Sequence, residues 1–305
     1  MGDAHVKNHD YHVLDPSPWP IAASGAALIA ALGAIAWMRT VDGGLIIGPL
    51  TLSGWYLFAI GMTALVFVSW RWWADVFKEA AQGDHTPVVT LHHRYGVILF
   101  IASEVMFFVA WFWAYFDVAL FPGNELATLA NNAAEIGNVQ RKELTGGQWP
   151  PVPSDNFQST FNPWGLPLVN TLILLLSGCT VTWAHHALLH DDRKGLIWGL
   201  ALTCGLGFLF SCLQMYEYDH ATFNFSGHIY GATFYMATGF HGAHVVIGTI
   251  FLFVCLVRSL RGGYTADNHF SFEAAAWYWH FVDVVWLFLF VSVYVWGAGS
   301  YAGGH

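Results

Sequence analysis

The chain has 305 residues, 56% of them hydrophobic and only 10% charged, with 16 Trp and a formal net charge of −9. So few charges beside so many apolar and indole side chains exclude an ordinary soluble globule and predict a membrane protein. The acidic balance, with no phosphate-binding glycine loop in view, excludes nucleic acid as a partner.

Residues 1–18 hold His5, His9 and His12 with three Asp and two Pro. No small-residue cleavage site follows a short apolar core, so this segment reads as a polar N-terminal tail and not as a cleavable signal. Charged residues then bound seven apolar stretches: Asp15 to Arg39, Asp42 to Arg71, Arg94 to Asp117, Asp155 to Asp191, Lys194 to Glu217, Asp219 to Arg258, and Asp267 onward. Each is long enough for one helix across about 30 Å of hydrocarbon. The predicted fold is an all-α integral membrane protein with seven transmembrane helices. Residues 19–72 form a two-helix bundle, 73–94 an inner connecting segment, 95–297 a five-helix bundle with an outer loop over 122–163, and 298–305 an outer tail.

An odd number of spans puts the termini on opposite faces. Lys7, Arg71, Lys78, Arg94, Arg193, Lys194, Arg258 and Arg261 fall on one face, against Arg39, Arg141 and Lys142 on the other. The positive-inside rule places the N-terminus inside. Asp42, Asp117, Glu125, Glu135, Glu143, Asp155, Glu217 and Asp219 make the outer side acidic, which suits either a basic soluble partner or plain solvation. Trp70, Trp72 and Trp73 sit where indole rings anchor at headgroup level.

Ionisable residues inside the spans carry the functional signal, because each is costly unless it faces protein, water or a partner. Glu104 lies ten residues past Arg94, about 15 Å deep and near mid-bilayer. Its neighbours Val105, Met106, Phe107 and Phe108 are apolar, and its own helix offers no second carboxylate or His within a turn. Glu273, Trp277, His280 and Asp283 share about one third of the circumference of the last span, so this face must point inward. With His241 and His244 in the sixth span they are expected to form an interhelical polar network. The remaining histidines, including His92, His93, His185, His186 and His190, make incomplete metal boxes, and no metal site is expected. Cys179, Cys204, Cys212 and Cys255 form no Cys-x-x-Cys pair and read as small core residues. Gly231, Ala232, Gly239, Gly242, Ala243 and Gly248 permit close helix approach along the sixth span.

The run Trp277-Tyr278-Trp279-His280-Phe281-Val282-Asp283-Val284-Val285-Trp286 resembles subunit III of the aa3-type cytochrome c oxidase. Ala237-Thr238-Gly239-Phe240-His241-Gly242-Ala243-His244 and Thr182-Trp183-Ala184-His185-His186 carry the same resemblance. So do His12 through Pro20, Trp72-Trp73-Ala74-Asp75, His85-Thr86-Pro87 and Ser103-Glu104-Val105, so that it covers nearly the whole chain.

The resemblance implies an accessory subunit with no cofactor of its own, while haem a and copper lie in partner subunits I and II and cytochrome c is reached through the complex. It implies bound phospholipid in a cleft between the first two helices and the last five, with Arg258, Trp73 and His85 at lipid headgroups and Glu104 as a buried carboxyl. It implies that His5, His9 and His12 serve as a proton antenna, and that the protein resides in a bacterial inner membrane with the mitochondrial inner membrane as the second choice. A quinol oxidase subunit III, usually of five spans, and a membrane di-iron hydroxylase are the alternatives. A secondary transporter is disfavoured by the absence of repeated or broken helices.

Overall fold

The computed structural model describes residues 11, 16–39, 45–47, 50–52, 54–123 and 141–299. Among the described residues, seven helices are long and apolar enough to cross a membrane: Trp19–Met38, Gly54–Ala80, Pro87–Leu120, Leu166–Leu189, Arg193–Asp219, Ile229–Leu260 and Phe270–Trp296. The chain is a multi-pass, predominantly α-helical membrane protein. It divides into two compact units, Met1–Tyr95 and Gly96–His305, with the boundary inside the third long helix.

In the first unit, α1 (Trp19–Arg39) and α2 (Gly54–Ala81) form a helical hairpin. Gly33 lies against the Phe58 backbone and Gly61 against Ala30, so close that an added Cβ at either position would collide with main chain. With little hydrophobic drive between helices in lipid, such close approach is what holds a pair together. Trp19 Nε1 donates to Asp75 Oδ2 at 2.6 Å, and the Arg71 guanidinium lies 5.9 Å from the Trp19 ring centroid. Two short antiparallel strands, β1 (Leu45–Ile47) and β2 (Leu50–Leu52), stand between these helices, a ribbon that an all-helical expectation omits.

Residues 73–94, expected as a polar connection, are mostly helical. α2 runs on through Ala81 and α3 (Pro87–Leu120) starts early, leaving only residues 82–86 between them. The local chemistry explains both ends. Gly83 takes φ +80° and Asp84 N–H bonds Glu79 O at 3.1 Å, a left-handed helix stop. Pro87 opens α3, and Thr86 Oγ1 accepts from Val89 N–H at 3.4 Å. Arg71, Lys78 and Glu79 bound the apolar stretch without ending the helix.

The second unit contains most of α3 together with α4 (Arg141–Thr145), α5 (Leu166–Leu189), α6 (Arg193–Asp219), α7 (Ile229–Leu260) and α8 (Phe270–Leu289), which passes into a π-helical segment, Phe290–Trp296. α8 is the most enclosed of the spans. Trp279 and Trp286, two turns apart on one face, are fully buried. Their indole N–H groups donate to Ser177 Oγ and Thr171 Oγ1 on α5, both at 2.9 Å. Gly248 on α7 makes room for the Trp279 ring, and Gly199 on α6 packs against Ala184 on α5. The expected small-residue stripe of α7 is only partly a packing device, since nothing lies within 4 Å of a Cβ built on Gly242.

Two further expectations change. Glu217, counted among the outer carboxylates, is buried at the end of α6, where its Oε1 accepts from Tyr294 Oη–H at 2.6 Å. Cys179 and Cys212 are exposed and Cys204 is half-buried, so only Cys255 is a buried core thiol; all four are free. Residues 141–163 are packed: Phe157 and Phe223 form an isolated bridge, Phe157 stacks on His228 at 5.0 Å, and Arg141 pairs with Asp117 at 2.6 Å.

Candidate functional site

Glu104 sits at the middle of the 34-residue α3, and His244 at the middle of the 32-residue α7. Their side chains meet, with His244 Nε2 2.8 Å from Glu104 Oε2. The His244 Nδ1 to Phe240 O distance is 2.6 Å. A carbonyl only accepts, so Nδ1 carries a proton and the tautomer is settled by geometry. The Nε2 to Oε2 contact then holds one shared proton, either as carboxylic acid and neutral imidazole or as carboxylate and imidazolium. Both forms leave the pair with no net charge, which is how a mid-membrane carboxyl is tolerated. Phe108 (4.9 Å), Phe107 (6.0 Å), Phe281 (6.3 Å) and Tyr278 (6.4 Å, nearly parallel) surround the imidazole.

Reading along α3 alone missed this partner, which lies 140 residues away in sequence. The available signal was depth, since both residues fall at the centre of their spans.

The other intramembrane polar residues do not join this pair as one network. His241 Nε2 donates to Val282 O at 3.1 Å, and the ring packs on Trp286 (4.9 Å) and Phe210 (5.9 Å). Asp283 is buried against Gly178 on α5, with Oδ2 3.9 Å from His280 Nδ1. His280 Nε2 lies 3.2 Å from Thr182 Oγ1. Glu273 is in the first turn of α8, seven residues and about 10 Å before His280.

Of the residues linked to lipid, Arg258 belongs to the second unit. Its Nε donates to Gly263 O (3.2 Å) and its Nη1 to Ser271 Oγ (3.0 Å), while the guanidinium lies 4.7 Å from the Tyr264 ring centroid. Burial pushes the Tyr264 phenol above its ordinary range, and its hydroxyl shares a 2.9 Å hydrogen bond with Ser271. In the first unit Trp73 is 65% exposed, and His85 meets the His93 ring edge-on at 5.0 Å. His5, His9 and His12 lie outside the described residues. Among the described residues no three His, Cys, Asp or Glu gather as a metal site.

The family model for cytochrome c oxidase subunit III matches residues 9–298, which takes in both units. The chain belongs to the cytochrome c oxidase subunit III family. Curated relatives named cytochrome c oxidase subunit 3 include that of Chondrus crispus, 46% identical over 96% of each chain. That of Struthio camelus is 45% identical over 95% of this chain and 98% of its own. That of Arabidopsis thaliana is 46% identical, again over 95% and 98%. Within this chain the Glu104–His244 pair joins two ionisable side chains from the centres of two spans.

Proposed function

We propose that the chain is a non-catalytic subunit of a cytochrome c oxidase, working in aerobic electron transport beside subunits I and II. Haem a and copper reside in those partners, which receive electrons from cytochrome c, reduce oxygen and translocate protons. The observation that carries this reading is the family match across residues 9–298. The chain itself stabilises subunit I, holds phospholipid and supports proton uptake from the inner face.

Particular residues support each role. Arg258 commits Nε and Nη1 to Gly263 and Ser271, leaving Nη2 for an anionic headgroup near the inner end of α7. Trp73 and His85 supply an exposed indole and an imidazole of the kind found at headgroup level. His5, His9 and His12 serve to collect protons on the inner face. The N-terminus is inside, and the membrane is a bacterial inner membrane.

Removing the chain from the complex tests the accessory role. Oxygen reduction should persist at a lower rate with a shortened working life, because the redox metals stay behind while support for subunit I is lost. Unchanged rate and lifetime in the depleted complex would refute both supports. Replacing His5, His9 and His12 together should slow turnover at alkaline pH alone, and the parent's turnover from about pH 6 to 9 would remove the antenna role.

A further inference from the structure

Where α5 begins and α6 ends, four buried side chains form a series of hydrogen bonds with a single direction. Asn170 on α5 donates from Nδ2 to Gln214 Oε1 on α6 at 3.4 Å, and Gln214 Nε2 donates to Tyr294 Oη at 3.4 Å. Tyr294, in the π-helical segment that follows α8, spends its one O–H proton on Glu217 Oε1 at 2.6 Å. None of the four is more than 4% exposed.

The series has two loose ends. Asn170 Oδ1 and Glu217 Oε2 are both buried without a partner, and an acceptor left so costs about 1–3 kcal/mol, more when it is charged. Tyr218, next along α6, gives its hydroxyl proton to Thr238 Oγ1 at 2.8 Å and cannot serve Oε2. The titratable side chains that face Glu217 are the phenols of Tyr218 on α6, Tyr230 and Tyr235 on α7, and Tyr294, so among the described residues no cation balances a carboxylate here. An ionised Glu217 would be an unpaired buried charge, the costliest form such a group takes. A proton on Oε2 removes the charge and turns one stray acceptor into the donor that the other lacks.

We propose that Glu217 is a proton-binding site, held as the carboxylic acid in the folded protein, with its Oε2–H directed through one buried water to Asn170 Oδ1. The four side chains then close into a ring across α5, α6 and the π-helical segment, in which each bond polarises the next. Two free oxygens are too few for a resident Ca²⁺ or Mg²⁺, which take about six ligands or more.

Infrared difference spectra of the assembled complex in mild detergent, parent minus Glu217→Gln, test this from about pH 6 to 9, where an ordinary Glu is ionised. The variant should lose one carbonyl band of a protonated carboxyl, a band that moves down in D2O, and no carboxylate band. Loss of the carboxylate bands in its place would overturn the proposal. The glutamine amide accepts from Tyr294 and donates toward Asn170 as the acid does, so the variant should assemble like the parent, and failure to assemble would count against the acid form. Asn170→Leu leaves Glu217 in place and takes away the acceptor of its O–H. The acid band should then rise in frequency, and an unmoved band would rule out the ring.

Discussion

Glu104 and His244 share one proton across a 2.8 Å contact between the centres of α3 and α7, with His244 Nδ1 anchored to Phe240 O. The fixed tautomer makes the two obvious substitutions at Glu104 distinguishable. Glu104→Gln can donate its amide N–H to the bare Nε2, so helix packing should survive with less than about 1 kcal/mol lost. Glu104→Ala leaves the imidazole unpartnered and should lower stability by about 1–3 kcal/mol. Thermal unfolding of the two variants in one detergent checks the order. Equal losses would mean that the hydrogen bond contributes nothing.

His228 gives a pH dependence at the start of α7. Its Nδ1 accepts from Tyr230 N–H at 3.1 Å, capping α7, while Phe157 stacks on the ring. Burial holds the imidazole below its ordinary 6.5, so the folded form keeps it neutral. The unfolded chain therefore takes up the proton first. Nothing is lost above about pH 6.5, and stability falls progressively as pH drops through that value toward the lower folded pKa. Unfolding temperature measured from about pH 8 to 5 should show this loss in the parent, and His228→Asn, which keeps a capping oxygen without a titrating group, should flatten it. An identical slope in the variant would exclude His228 as the source.

Packing between α5 and α6 turns on Gly199. A Cβ there would lie 2.7 Å from that of Ala184 and 3.0 Å from its backbone, so Gly199→Val should cost about 1–3 kcal/mol through overpacking. Gly242→Ala should be neutral, because the space beside it is empty. A comparison of folded yield and unfolding temperature checks the pair, with similar behaviour of both variants as the contrary result.

Trp279→Phe removes the indole N–H donated to Ser177 Oγ and should cost about 1 kcal/mol, near the value of one interhelical membrane hydrogen bond. Ser177→Ala combined with it should add little. A double-mutant cycle read by thermal unfolding decides whether the two side chains act as a pair.

The spans were legible because apolar stretches of sufficient length and sparse charges are properties of single segments. The ends of α2 and α3 were misplaced because Arg71, Lys78 and Glu79 mark where hydrocarbon ends, while hydrogen bonding carries the helix on to Gly83 and begins the next at Pro87. That punctuation, a Gly followed by Thr86-Pro87, was available in the sequence. The short ribbon likewise has a local sign in Leu45-Ile46-Ile47 and Leu50-Thr51-Leu52, two triplets separated by Gly48 and Pro49.

The candidate site was half legible. Its expensive residues could be named one by one, but partnership is a property of helix order and rotation about the axis. Neither the 140-residue separation of Glu104 from His244 nor the pairing of Glu217 with Tyr294 leaves a mark in local sequence. Helical spacing puts Asp283 and His280 on an inward face, whereas His280 is half exposed. That exposure is visible only once α5 and α7 are set beside α8.

Isolation of the chain from its membrane in mild detergent, with subunit composition and optical spectrum recorded on the same preparation, decides whether it is a subunit of a haem-bearing oxidase. Two larger subunits and haem a absorbance should accompany the chain, and the chain afterwards separated from them should carry neither haem nor metal. A preparation of this chain alone, free of larger subunits and holding one equivalent of iron or copper, would contradict it.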